Sequence, residues 1–152
     1  EAEFADADRF VELVFAQEWL YRHLSDYYTR ENQLDEAIRV GELGLKRAPN
    51  AWLCYHMAYL YDRAKNFEGA ERVLRRAAEI TKDRDPRAYE DLGALYDRNH
   101  RTAQAIEAFR KALEISPGKT HLQNVIRGLE EKAAAAPAST PAPKPSTSSS
   151  GS

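Results

Sequence analysis

The sequence predicts an all-α fold of stacked helix hairpins, and three observations lead there. The stretches YTRENQLDEAI from Tyr28, YDRAKNFEGAE from Tyr61 and YDRNHRTAQAI from Tyr96 each carry Tyr-x-Arg, then an alanine nine residues after the tyrosine. The tyrosines lie 33 and 35 residues apart, and Ala37, Ala70 and Ala105 repeat both intervals. A period of about 34 residues marks a repeat architecture in which one supersecondary unit recurs. Between the marks, apolar residues fall at three- and four-residue intervals, as on one face of a helix.

The elements follow in order. From Asp8 to Arg30 no Gly, Pro or Asn interrupts the chain, and Phe10, Leu13, Val14, then Tyr21, Leu24, Tyr28 keep a helical spacing, which predicts one long helix or two abutting ones. A turn at 31–33 precedes a second helix of about 35–46, with Asp35 as its expected N-cap and Pro49 as its stop. Asn50 is placed to cap the next helix, giving a pair at about 51–64 and 67–81. Asp85-Pro86 sets a capping carboxylate before a proline at the first helical position, where the missing N–H costs nothing. The third pair runs about 86–98 and 102–115, until Ser116-Pro117-Gly118 stops it. From Thr120, Leu122, Val125, Ile126 and Leu129 form one apolar stripe opposite a polar face, as a terminal capping helix requires. The expected boundaries are a repeat domain at 5–133, with units at about 18–50, 51–85 and 86–119 and a cap at about 120–133. A Pro/Ser/Thr/Ala-rich linker or tail at 134–152 is too poor in apolar residues to offset an ordering cost of about 1 to 2 kcal/mol per residue. The first four residues, EAEF, resemble a vector scar.

Composition narrows function. The 22 basic and 24 acidic side chains leave a formal charge of −2, and the densest basic run, Arg72, Arg75 and Arg76, is interleaved with Glu71 and Glu79, so no nucleic-acid partner is expected. No apolar run reaches the length of a membrane-spanning helix, so no membrane insertion is expected. Cys54, the single cysteine, cannot form an internal disulfide and reads as a small core residue. The chain carries no His-Glu-x-x-His, Gly-rich phosphate loop, Cys-x-x-Cys or Gly-x-Ser-x-Gly, so it reads as a non-enzyme without catalytic residues or cofactor. Its compartment stays open: a lone cysteine fits the cytoplasm, and the Ala/Pro/Lys tail fits a bacterial envelope as well.

Registered on their alanines, the units align Tyr21, Leu24, Ser25, Tyr28 with Cys54, Met57, Ala58, Tyr61 and with Tyr89, Leu92, Gly93, Tyr96. Each set is one helical stripe whose third member is small, so that a partner helix can approach closely. Ala37 and Gly44, Ala70, Leu74 and Ala77, and Ala105, Phe109 and Ala112 repeat this logic on the second helices.

At these residues the chain resembles the tetratricopeptide repeat (TPR) family over about 18–117, most fully in the third unit through Tyr89, Leu92, Gly93, Tyr96, Ala105, Phe109, Ala112 and Pro117. Unit one departs at Ser25, Gly41 and Gly44, which predicts looser packing there. The resemblance implies a right-handed α-α superhelix of three hairpins, with an N-terminal helical extension and a C-terminal capping helix. It also implies a concave groove, lined by the first helix of each pair, that binds a protein or peptide partner. The positions placed there are Trp19, Arg22, His23 and Asp26, then Trp52, Tyr55, His56 and Tyr59, then Arg87, Glu90, Asp91 and Ala94, with Asp62-Arg63 and Asp97-Arg98 near the floor or rim.

A carboxylate clamp for chaperone C-termini is not expected. Arg22 and Arg87 match two of its cations, but Asp26 and His56 stand where asparagines belong and Asp91 where a further cation belongs, so a bound carboxylate would be repelled. The aromatic content points instead to a segment of mixed charge with an apolar anchor on Trp52, Tyr55 and Tyr59, while Trp19 fits either groove or core. His23 and His56 recur 33 apart but lack a third metal ligand and read as groove lining. Two other readings stay open: a structural spacer or homo-oligomer stacking through its end helices, and a small-ligand or glycan binder using the aromatic groove.

Overall fold

In the computed structural model, residues 19–135 are described, and all their regular structure is helical. The expected extension from Asp8, the vector scar and most of the tail lie outside the described residues. The first helix, α1, covers 19–30 within them. It is followed by α2 (Leu34–Arg47), α3 (Ala51–Arg63), α4 (Phe67–Thr81), α5 (Arg87–Arg98), α6 (Thr102–Ile115) and α7 (Thr120–Ala135). From α2 onward each helix packs on the next, and among these the tightest pairing is inside the α3–α4 and α5–α6 hairpins. The result is an all-α superhelix of hairpins in two layers, first helices in one and second helices in the other, closed by α7.

The recurrent tyrosine begins each hairpin turn. Tyr28, Tyr61 and Tyr96 offer their carbonyl oxygens to the amides of Gln33, Asn66 and Arg101 at 2.8 to 2.9 Å. This six-to-one closure is the Schellman turn, which needs a left-handed residue just past the helix end. Asn32, Lys65 and His100 fill that place, with φ of 57°, 58° and 59°. The side chain of Asn66 then caps α4 by accepting from the Gly69 amide at 2.8 Å. Gln33 and Arg101, at the equivalent places, cap nothing with their side chains.

Several expectations need correction. Asp35 does not cap α2: the helix starts one residue earlier, at Leu34, and Asp35 lies in its first turn, where a carboxylate favours the positive end of the helix dipole. Asn50 does cap α3, accepting from the Leu53 amide at 2.8 Å. Pro86 precedes α5 instead of opening it, while Asp85 accepts from the Arg87 amide at 3.0 Å. On α7, Leu122, Ile126 and Leu129 are buried, but Val125 faces outward at 39% exposure. Leu24, placed in the core stripe of α1, is 36% exposed.

The small residues sit where the register puts them. Ala37, Ala70, Ala77, Ala105 and Ala112 are buried, and a Cβ added at Gly93 would lie 2.6 Å from the Phe109 ring. Unit one is not loose at its glycines. The space beside Gly41 is taken by the Met57 thioether from the following unit, and that beside Gly44 by Leu53 and Tyr21. Cys54 is fully buried, and that burial pushes its thiol up to about 11.

Polar side chains join one unit to the next. The Tyr61 hydroxyl donates to Glu42 of α2, and Arg72 of α4 holds the same carboxylate at 2.6 Å. Tyr96 donates to Glu71 of α4 at 2.6 Å, and Arg75 donates to the Tyr96 oxygen at 2.9 Å. The arginines of the second and third Tyr-x-Arg reach back one unit: Arg63 to Asn32 at 3.2 Å and Arg98 to Asp62 at 3.3 Å. The recurrent motif thus supplies a turn, a hydroxyl and a cation to successive interfaces.

Candidate functional site: the face of the first helices

The expected groove residues divide into two halves. At the amino-terminal half, Trp19 is 60% exposed, and its indole lies 4.4 Å from the His23 ring, so Trp19 is a surface residue and not part of the core. Trp52 is partly covered. Its ring stacks on His56 at 5.3 Å with an interplanar angle of 10°, and the Arg22 guanidinium lies 4.8 Å from its centroid. Cation and ring attract through the ring quadrupole, so Arg22 is engaged by Trp52 across the unit boundary.

His56 sits deeper. The Ser25 hydroxyl donates its one hydrogen to the Ala37 carbonyl oxygen at 3.1 Å, which leaves the oxygen to accept from the His56 Nε2–H at 3.0 Å. The other ring nitrogen, Nδ1, faces Asp26 at 3.6 Å. Burial lowers the His56 pKa from its ordinary value, and the Asp26 carboxylate opposes that shift. Ser25, read from sequence only as a small residue, is thus a buried polar link that ties α1 to α2 and α3.

The carboxy-terminal half holds a cavity of about 320 Å³. Its walls are α3, through Tyr55, Tyr59 and Asp62, and α5, through Arg87, Asp91 and Arg98; Ala70 and Leu74 of α4 form the floor. Tyr55 is buried, donates to Asp85 at 2.7 Å and carries the Arg87 guanidinium 4.3 Å from its ring centroid. Burial and the Asp85 bond both raise its pKa. Tyr59 is 54% exposed over the same hollow. Two ion pairs frame the space, Arg87 with Asp91 at 3.6 Å and Arg98 with Asp62 at 3.3 Å. Burial raises the Asp91 pKa; Arg87 counters this, Glu90 adds to it, and Arg98 counters it less strongly.

The structure therefore brings Tyr55, Tyr59, Arg87 and Asp91 to one hollow, and gathers Arg22, Asp26, Trp52 and His56 in a packed cluster beside it. Glu90 belongs to neither. It is turned to the start of α7, where it pairs with Lys119 and faces His121 at 3.9 Å. Asp62 and Arg98 complete the hollow, and their place in the recurrent Tyr-x-Arg segments is the signal that marks them.

Comparison with known proteins agrees with the fold. The family model described as tetratricopeptide repeat matches residues 4–126. The human RanBP2-like and GRIP domain-containing protein 1 is 34% identical over 68 residues, which is 45% of this chain and 4% of that protein. The human E3 SUMO-protein ligase RanBP2 is 31% identical over 68 residues, 45% of this chain and 2% of that one. The chain thus spans a small fraction of the length of these relatives. Among solved structures, the first TPR of Spaghetti (RPAP3) bound to the HSP90 peptide SRMEEVD superposes with a TM-score of 0.65 at 23% identity, over 78% of this chain and 94% of that one. MamA superposes with a TM-score of 0.66 at 22% identity, over 77% and 68%. At such identities the likeness is one of fold. The Tyr and Ala intervals, the hairpins they build and the family match over 4–126 together establish that this chain belongs to the tetratricopeptide repeat family.

Proposed function

We propose that this protein-interaction module holds a peptide or an exposed partner segment in the hollow between α3 and α5. The observation that carries the reading is the hollow itself, about 320 Å³ with an aromatic wall and two opposed ion pairs. Apolar lining with a few convergent polar groups is what binding sites share. Tyr59 offers an exposed ring as an anchor, while Asp62, Asp91, Arg87 and Arg98 offer both signs of charge within one cavity. A segment of mixed charge with a small apolar anchor satisfies all of them.

The chaperone peptide seen on the RPAP3 domain fits this face poorly. Arg22 lies against the Trp52 ring outside the hollow, and Arg87 is flanked by Asp91, so neither presents an isolated positive charge to a terminal carboxylate. Asp26 and Asp91 add negative charge where a terminal carboxylate would lie, and such juxtaposition costs affinity.

Selection of a random phage-displayed peptide library on the chain, then titration of the recovered peptides, tests the proposal. Tyr59→Ala should weaken binding by at least about tenfold, as truncation of an interface anchor does. Asp62→Ala should weaken it less and remove any preference for a basic residue in the peptide. Affinities unchanged in both variants would overturn the reading.

A further inference from the structure

A second cleft lies on the opposite layer, between the second helices α4 and α6. Three adjoining cavities of about 90, 220 and 210 Å³ share Tyr89 and Lys111 and run the length of α6 from Gln104 to Ile115. Tyr89, Leu92 and Tyr96 of α5 form the floor, so the cleft opens away from the hollow described above. That span is about three turns of helix.

Comparison of successive units explains why this cleft is open. Between α2 and α4 the same groove is bridged twice, by Arg72 to Glu42 at 2.6 Å and by Arg76 to the Leu45 carbonyl oxygen at 3.0 Å. One unit later, the residues equivalent to Arg72 and Arg76 are Glu107 and Lys111. Neither forms a hydrogen bond or ion pair across to α4 among the described residues. Glu107 and its counterpart Arg75, which stands where Glu42 does one unit earlier, exchange the charges of the Arg72–Glu42 pair, and Lys111 lies 5.0 Å above the Tyr89 ring. Arg75, which could have met Glu107, is committed to Glu71 at 2.8 Å.

The rim has a distinct chemistry. Glu79, Asp83, Glu107 and Glu114 line the cleft against Lys111, since Glu71 already holds the Arg75 charge. Glu79, Glu107 and Glu114 have no ion pair among the described residues. Asp83 accepts from the Tyr89 hydroxyl at 2.6 Å, which orients the ring along the floor.

We infer that the α4–α6 cleft is a second docking surface, and that its occupant is a basic amphipathic helix of a partner protein. Its apolar side chains enter the pockets over Tyr89 and Leu92, and its lysines or arginines meet Glu79, Glu107 and Glu114. A helix laid between two helices over a third repeats the packing by which α5 already sits against α4 and α6, and apolar anchors one turn apart match such a groove. Charge complementarity sets the partner's sign.

The test uses a fluorescein-labelled amphipathic helix of leucine and lysine, about three turns long, titrated into the chain and followed by anisotropy. The double variant Glu107→Lys with Glu114→Lys should weaken binding by at least about tenfold. The control double Glu31→Lys with Glu131→Lys, which makes the same charge change on exposed sites elsewhere, should leave the affinity within about twofold. Tyr59→Ala, which empties the opposite hollow of its anchor, should leave it unchanged. Equal loss in both charge doubles, no loss in the cleft double, or no saturable binding by the wild type would each overturn the inference. Loss in Tyr59→Ala alone would place the probe in the first-helix hollow and overturn it as well.

Discussion

His56 concentrates the chemistry of the first unit boundary in one side chain. Its Nε2 is fixed by Ser25, its face by Trp52, and its Nδ1 looks at Asp26. In the folded chain burial keeps the ring neutral below the ordinary histidine pKa of about 6.5. An unfolded chain takes up the proton first as pH falls through that value, so it binds more protons and folding stability drops. The other three histidines are exposed. The melting temperature should therefore fall on acidification from pH 7 towards pH 5, as about one titrating histidine dictates. His56→Gln should show a shallower slope over the same range. Equal slopes would remove His56 as the cause, and a wild type that gains stability on acidification would show that the Asp26 attraction prevails. Sequence spacing found this histidine as a groove position. What it could not show is that Ser25, Asp26 and Trp52 converge on it, because that depends on how closely two hairpins approach.

Successive helices pack through small residues and the side chains that fill the space beside them. Gly41 aligns with Leu74 and Phe109 of the later units, and from sequence alone this reads as a gap. The structure fills it with Met57 from the next hairpin, so the two positions form one packing unit across a boundary. Met57→Ala should destabilise by about 2 to 5 kcal/mol through the cavity it opens. Gly41→Ala should destabilise by about 1 to 3 kcal/mol through overpacking, despite the better helix propensity of alanine. The double variant should cost less than the sum of the singles, because the new methyl occupies room that the thioether vacates. Denaturant unfolding of all four proteins measures this coupling, and strict additivity would separate the two positions.

Helix identity and order were legible because the 34-residue interval, the apolar stripes and the Gly/Pro stops agree with one another. Caps were less so. Asp35 and Gln33 compete for one boundary, and the left-handed turn at Asn32 decides it, since the Schellman closure ends at Gln33 and α2 starts directly after it. Val125 obeys the helical spacing yet faces out, because among the described residues α7 packs on α6 alone, and its buried stripe is narrower than the spacing allows.

Across the whole chain, the same scaffold is locked at one boundary and open at the next. The α2–α4 groove is bridged by Arg72 and Arg76, whereas the α4–α6 cleft is not. On the other layer the amino-terminal half is filled by the Arg22, Trp52 and His56 stack, while the carboxy-terminal half keeps its hollow. The aligned repeats identify which residues share the first-helix face, but not which of them are already occupied by neighbours. Tyr55 is bound to Asp85 and Glu90 to Lys119, partners 30 and 29 residues away, and only the folded arrangement reveals them. The outer face of α7 exposes Gln123, Asn124 and Arg127 beside Val125.

The most direct measurement is amide chemical-shift mapping of the isotope-labelled chain as a library-selected peptide is added. The account predicts shifts concentrated on α3 and α5 around Tyr59, Asp62, Asp91 and Arg98. Shifts confined to α7 or to the second helices, with those four amides unmoved, would contradict it.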